Sequence, residues 1–348
     1  MGATREVLTA AEAAQVDQAV DTALEWLAQQ QQPDGGFPGR ATGQPGITSL
    51  TVLAFLSAGH LPGSEPYGKH LERAVNHVLS TEREPGFFSV AKPRPTWALD
   101  AASHTAYYNQ AITGLMLSEI SGELGGTLGE RVVPAIERAL KFTVKVQFRE
   151  VPGRPQDEGG WRYPVPCPQD VFVTDLSITA WQVTFLRSAK NAGFEVKDEV
   201  IEAAHKYVKG LYKPEHGTFT YDHSRTTRGM SGAGIMAMAM LGQHNTVETR
   251  AAAEWIRVHP FTRYGERVGF LDRFQYSVYY CSQAMYQLGG DRWHDFSPTV
   301  VDLMVPNQQS NGSWRASAHE VPFGDVYVTA ISVFSLTPHY AMLPIHQR

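Results

Sequence analysis

The residues with the clearest chemical potential are few. Asp222 and His223 stand side by side in FTYDHSRTTRGMSG, directly after a Gly-Thr-Phe loop. A carboxylate beside an imidazolium titrates low, which makes Asp222 and His223 a candidate acid pair. Simple loop capping by the aspartate is the competing reading. Asp175 opens the apolar stretch DLSITAWQV and Asp325 opens DVYVTAISV. At such positions a carboxylate caps the free N–H groups of the first helical turn. His104, at the head of HTAYYNQAITG, is expected either to line a cavity or to cap its helix. Aromatic residues carry the stronger signal. Tyr107, Tyr108, Trp181, Phe274, Tyr276, Tyr279, Tyr280 and Tyr327 all fall on or near the starts of apolar helical stretches, as candidate ligand-binding residues. An aromatic wall suits an apolar chain or a cation. It equally suits ring-to-ring core packing, and a cluster of tyrosines suits sugar rings.

Metal and cofactor chemistry has little support. The chain has 13 histidines but no HxxxH or HExxH pair, and neither of its cysteines, Cys167 and Cys281, belongs to a CxxC pair. We therefore expect no metal and no cofactor. Two cysteines also exclude a disulfide framework and fit a reducing compartment. A net charge of −5 argues against nucleic acid as a partner. No apolar run approaches the ~20 residues that span a bilayer, and the first fifteen residues lack an apolar signal core. The expectation is a cytoplasmic protein, with peripheral membrane contact left open.

The elements that must position these residues repeat. A unit recurs: an amphipathic helix, a short Gly-aromatic loop, then a more apolar helix. The loop aromatics are Phe37, Phe87, Trp161, Phe219, Phe270 and Trp314, at gaps of 50, 74, 58, 51 and 44 residues, with an insertion around VPGRPQDE in the longest. The first helix of the first unit puts Val20, Ala23, Leu24 and Leu27 on one stripe and Asp17, Asp21 and Glu25 opposite. The second helices, such as ITSLTVLAFLSAG and MSGAGIMAMAMLG, are apolar nearly all round, as helices covered on both sides must be. Six such pairs predict an all-α (α/α)6 toroid filling residues 1–348, with units at about 16–62, 66–124, 132–194, 198–243, 248–290 and 294–343. An open superhelix is the alternative, but a closed ring needs no capping repeat.

The motifs QQQPDGGF (30–37) and NQQSNGSW (307–314) resemble the QW motif of the squalene cyclase and prenyltransferase repeat family, with EGGWRYP and HGTFTY as degenerate copies. DLSITAWQVTFLRSAKNAG, CSQAMYQLGG and LPIHQR are similar to segments of single-toroid squalene-cyclase-like proteins of planctomycete-type bacteria. The resemblance implies that Gln31, Phe37, Trp161, Gln308 and Trp314 tie adjacent repeats together. It implies a cavity mouth lined by inner-helix starts, whose N–H groups suit an anionic headgroup such as a diphosphate. It also implies an isoprenoid ligand. The family's proton-donating Asp-x-Asp-Asp-Thr-Ala motif aligns with residues 175–180, so Asp175 matches the first aspartate while Ser177 and Ile178 replace the other two. Serine cannot donate that proton. The family's zinc ligands align with Tyr276, Val278 and Val328, none of which binds zinc. The expectation is thus a protein that binds or transforms an isoprenoid, using Asp175, Asp222 and His223 if any acid acts. A non-catalytic lipid carrier or interaction toroid and a carbohydrate-active (α/α)6 enzyme remain as alternatives.

Overall fold

The computed structural model describes residues 7–94, 100–148, 150–165, 174–266, 272–317 and 320–346. Cys167 and the Gly269-Phe270 loop lie outside them. Among the described residues twelve α-helices alternate between two layers. The outer ones are α1 (Ala10–Gln29), α3 (Gly68–Ser80), α5 (Gly126–Lys145), α7 (Asp198–Gly210), α9 (Val247–Val258) and α11 (Gly290–Met304). The inner ones are α2 (Gly46–Ser57), α4 (Ala101–Ile120), α6 (Leu176–Asn191), α8 (Arg228–Met240), α10 (Phe274–Leu288) and α12 (Asp325–Leu336). Each inner helix packs on the next in chain order, and α12 packs back on α2. The ring is closed, and the fold is the (α/α)6 toroid.

The layers follow from the apolar pattern. Every residue of α2 is buried. The outer α1 buries only its stripe, Val16, Ala19, Val20, Ala23, Leu24 and Leu27. Each large member of such a stripe contributes about 1.5–3 kcal/mol when withdrawn from water. Thr9 and Glu12 form a reciprocal capping box that starts α1 at Ala10, ahead of Val16, the first residue of its buried stripe. The last outer helix also starts earlier than its pattern suggests. It begins at Gly290, directly after α10, and carries Pro298 just past its middle.

The Gly-aromatic loops join outer to inner helices by one recurring device. Gln31 Nε2 donates to Gly35 O within its own loop at 2.9 Å and to His70 O on α3 at 2.8 Å. Gln147 does the same with Gly159 O and Val200 O on α7, both at 3.0 Å. Gln308 bonds Gly312 O and Ala19 O on α1, both at 2.8 Å. The loop aromatic turns inward. The backbone N–H groups of Phe37, Trp161 and Trp314 donate to Thr48, Thr179 and Thr329 of the following inner helices. Gly35, Gly159 and Gly312 adopt φ near +90° and press against carbonyls of the next outer helix, where no β-carbon fits.

Candidate functional site

A cavity of about 470 Å³ opens at the end of the ring where the inner helices begin. Its volume falls in the range of ordinary small-molecule sites. The lower part of the ring is filled. The Trp181 and Tyr279 rings stack at 5.3 Å, Tyr280 lies across Trp181, and Phe334 continues the column to His346. Small residues on α8 permit this. Gly232 lies against the backbone of Tyr280, so side chains of α10 reach past α8 to α6. The tail at Pro344–His346 covers the bottom of the column, and the Ile345 N–H donates to Glu119 at the far end of α4.

Of the aromatic residues expected at the site, His104, Tyr108, Trp181, Tyr276 and Tyr327 line the cavity. The other four do not, because consecutive helical positions point about 100° apart. Tyr107 turns outward, edge-on to Phe87 and Phe142. Phe274 packs on Phe261 and Tyr264 outside the inner ring. Tyr279 and Tyr280 belong to the column beneath the floor. His104 is no cap: α4 starts three residues earlier, with Asp100 accepting the Ser103 N–H. Burial, then the charges of Arg273, Arg162 and Arg40, bring the His104 imidazole down to about 4, so it is neutral at pH 7.

The expected acids lie elsewhere than the lining. Asp175 is fully buried as the N-cap of α6, its Oδ1 accepting the Ile178 N–H at 2.9 Å. Burial pushes its carboxyl up to about 6, although Arg162, 3.6 Å from Oδ2, draws it back. Asp222 and His223 do not pair. Asp222 is fully buried and bonded to Ser224 and Arg225. His223, held at φ 71°, turns its Nε2 toward Asp157 Oδ1 at 3.6 Å. The reason is local: the left-handed turn at His223 sends adjacent side chains in different directions. Asp325 is the first residue of α12 rather than its cap, and accepts the Ala316 N–H.

What faces the cavity instead is cationic. Arg162, Arg225 and Arg273 all line it, and among the described residues none of the lining side chains is a carboxylate. Each arginine is backed from behind. Asp175 stands behind Arg162, and Asp222 holds Arg225. The buried Glu320, whose carboxyl also receives the Tyr276 N–H at the start of α10, has Arg273 as its nearby cation. Arg162 lies over the Tyr163 ring at 4.8 Å and Arg225 over Tyr221 at 4.9 Å, while the two tyrosine hydroxyls meet at 3.1 Å. Such stacking orients guanidinium groups. At the floor, Ser177 Oγ accepts a hydrogen bond from Tyr108 Oη at 2.7 Å and shares another with Tyr276 Oη at 2.6 Å. Asn109 fixes the opposite wall, donating to Thr42 O and Gln44 O.

Sequence reasoning passed over Arg162, Tyr163, Tyr221, Arg225 and Arg273. They sit in the loops preceding inner helices rather than on the helices. The available signal was their adjacency to residues already singled out: Arg162 follows Trp161, Tyr221 precedes Asp222, and Arg273 precedes Phe274. Among the described residues no three histidine, cysteine or carboxylate side chains gather as metal ligands. Among the described residues no helix is long and apolar enough to cross a membrane. Cys281 is free and buried, its thiol pushed up by burial.

No family model and no curated relative matches the chain. Solved structures do. A type II terpene cyclase from Scytonema, in complex with geranylgeranyl dihydroxybenzoate, matches at 12% identity over 97% of this chain and 100% of that one, with a TM-score of 0.60. The cellobiose 2-epimerase from Bacillus thermoamylovorans matches at 11% identity over 92% of this chain and 98% of its own, with a TM-score of 0.63. A glycosidase matches at 10% identity over 97% and 100%, with a TM-score of 0.61. The shared feature is the helical toroid. Likeness at this level assigns the fold and leaves the chemistry to the residues.

Proposed function

We propose that the protein binds an isoprenoid with an anionic head in its central cavity. The observation that carries this reading is the lining: aromatic and aliphatic side chains at the floor, three arginines, and no carboxylate among the described lining residues. Ile47, Leu50, Ile112 and Trp181 suit a branched hydrocarbon. Arg162, Arg225 and Arg273 suit a phosphate, diphosphate or carboxylate. The terpene cyclase among the structural neighbours carries a geranylgeranyl compound, which is compatible with the same use of the toroid here.

The reading is one of binding before chemistry. Asp175 caps a helix behind Arg162, and Asp222 is engaged by Arg225, so neither presents an acid to the cavity. A carbohydrate-active toroid is less well supported. Glycoside hydrolysis by the usual route places two carboxylates about 5–10 Å apart across the substrate. The protein should be incubated with squalene and with C10–C30 prenyl diphosphates, separated from free ligand, and both retained compounds and products identified by mass spectrometry. A retained prenyl diphosphate supports the proposal. Retention of none of the set refutes it, and a cyclised product would add catalysis to binding.

A further inference from the structure

We infer that the hydroxyls of Tyr108, Ser177 and Tyr276 form a donor site for an oxygen on the hydrocarbon end of the ligand, so that the preferred isoprenoid is an oxygenated one. The inference rests on the isoprenoid reading above and sharpens it.

Three observations carry it. First, the trio is built from three helices. Tyr108 comes from α4, Ser177 from α6 and Tyr276 from α10, and α10 reaches α6 only because α8 is lined with small residues. Their oxygens nevertheless meet at 2.7 and 2.6 Å. Second, all three line the cavity, directly above the packed Trp181 and Tyr280 rings. They are polar groups at the floor of a pocket whose neighbouring walls are Leu50, Ile112 and Trp181. A pure hydrocarbon seated there would bury these hydroxyls against carbon, which costs about 1–3 kcal/mol for each group left unsatisfied. Third, the protons can be counted. The Tyr280 hydroxyl and the Trp181 indole N–H also lie against Tyr276, so five donors serve four internal contacts and one proton is left over. Of these hydroxyls, those of Tyr108, Ser177 and Tyr276 belong to residues that line the cavity. Tyr108→Phe reassigns this proton without removing it, because one fewer proton then serves one fewer internal bond.

The partner for that proton is a neutral accepting oxygen: an epoxide, carbonyl or hydroxyl. The arginines supply the other end. Arg225 is 42% exposed, whereas Ser177 is 5% exposed and Arg162, at 6%, lies as deep as Ser177. An anionic head held at Arg225 leaves the far end of the chain to meet the hydroxyls.

The test compares geranylgeranyl diphosphate with its terminal epoxide by calorimetry, on the wild type and on the triple variant Tyr108→Phe, Ser177→Ala, Tyr276→Phe. Replacing all the partners by apolar groups of similar shape is close to neutral for folding, and a thermal melt checks it. The quantity read is the ratio of the two affinities. In the wild type the epoxide should bind roughly two- to twelvefold tighter, the worth of one hydrogen bond. In the triple variant the ratio should fall to about one or below. Ser177→Ala alone should keep the epoxide preference, since it frees both tyrosine protons. Equal binding of the two ligands by the wild type overturns the inference while leaving the isoprenoid reading intact. So does a preference that survives in the triple variant. Binding of neither ligand overturns both.

Discussion

The side-chain amide of Gln308 donates to the backbone carbonyl of Ala19, 289 positions away in the chain, at 2.8 Å. It is the same bond that Gln31 makes to His70 and Gln147 to Val200, but here it joins the last unit to the first. One local device, repeated, thus also closes the ring.

Loss of this closure should be visible in stability. Gln308→Leu removes the donor to both Ala19 and Gly312, and should lower unfolding free energy by about 1–3 kcal/mol. Gln147→Leu should behave alike. Urea unfolding measures both, and a change within error for either would argue that the amides only decorate contacts made by packing.

Gly159→Ala should be worse than either. Its φ of 93° disfavours any side chain, and the new methyl would meet the Ala203 carbonyl on α7. A destabilisation of about 2 kcal/mol or more is expected, with the melt as readout. Gly193, also at positive φ but with open space around it, should lose clearly less on the same change.

The arginines should decide head-group affinity. Arg273→Gln and Arg225→Gln should each weaken a C20 prenyl diphosphate roughly 10- to 100-fold, the worth of a charge-assisted hydrogen bond. The corresponding C20 alcohol should be affected much less. Equal loss for diphosphate and alcohol would show that these residues shape the cavity and do not read charge.

Asp175 should leave a signature in the pH dependence of stability. Its carboxyl sits at about 6 in the folded protein, above the ordinary value of about 3.9. The folded form therefore holds the proton more tightly. The resulting stability is complete below about pH 4 and is lost as pH rises through 6, by about 3 kcal/mol. Asp175→Asn keeps an N-cap but removes the titration. The stability of the variant relative to wild type should shift in the variant's favour between pH 4 and pH 7.5. Glu119, raised to about 7 by burial, has the same sign but is present in both proteins. A difference that stays flat with pH would show that Asp175 is not buried as an acid.

Much of the fold could be read from residue patterns, because helical periodicity and the Gln-Gly-aromatic loops are local. Gln147 escaped notice for a physical reason. The VPGRPQDE insertion separates it from Gly159, yet its loop closes and the amide reaches the same two kinds of carbonyl. The site was less legible. Tyr107 and Tyr108 are equivalent in sequence, and only the orientation of α4 within the ring decides which one faces the cavity. Asp175 and Asp222 were visible as acids, but not the arginines that cover them, since those contacts depend on how loops fold over helix starts.

The aromatic column from Trp181 to His346 gives the cavity a direction. A ligand bound as proposed lies with its tail toward this column and its charged head toward the exposed Arg225. The head then stays within reach of water or of a second protein while the tail is hidden.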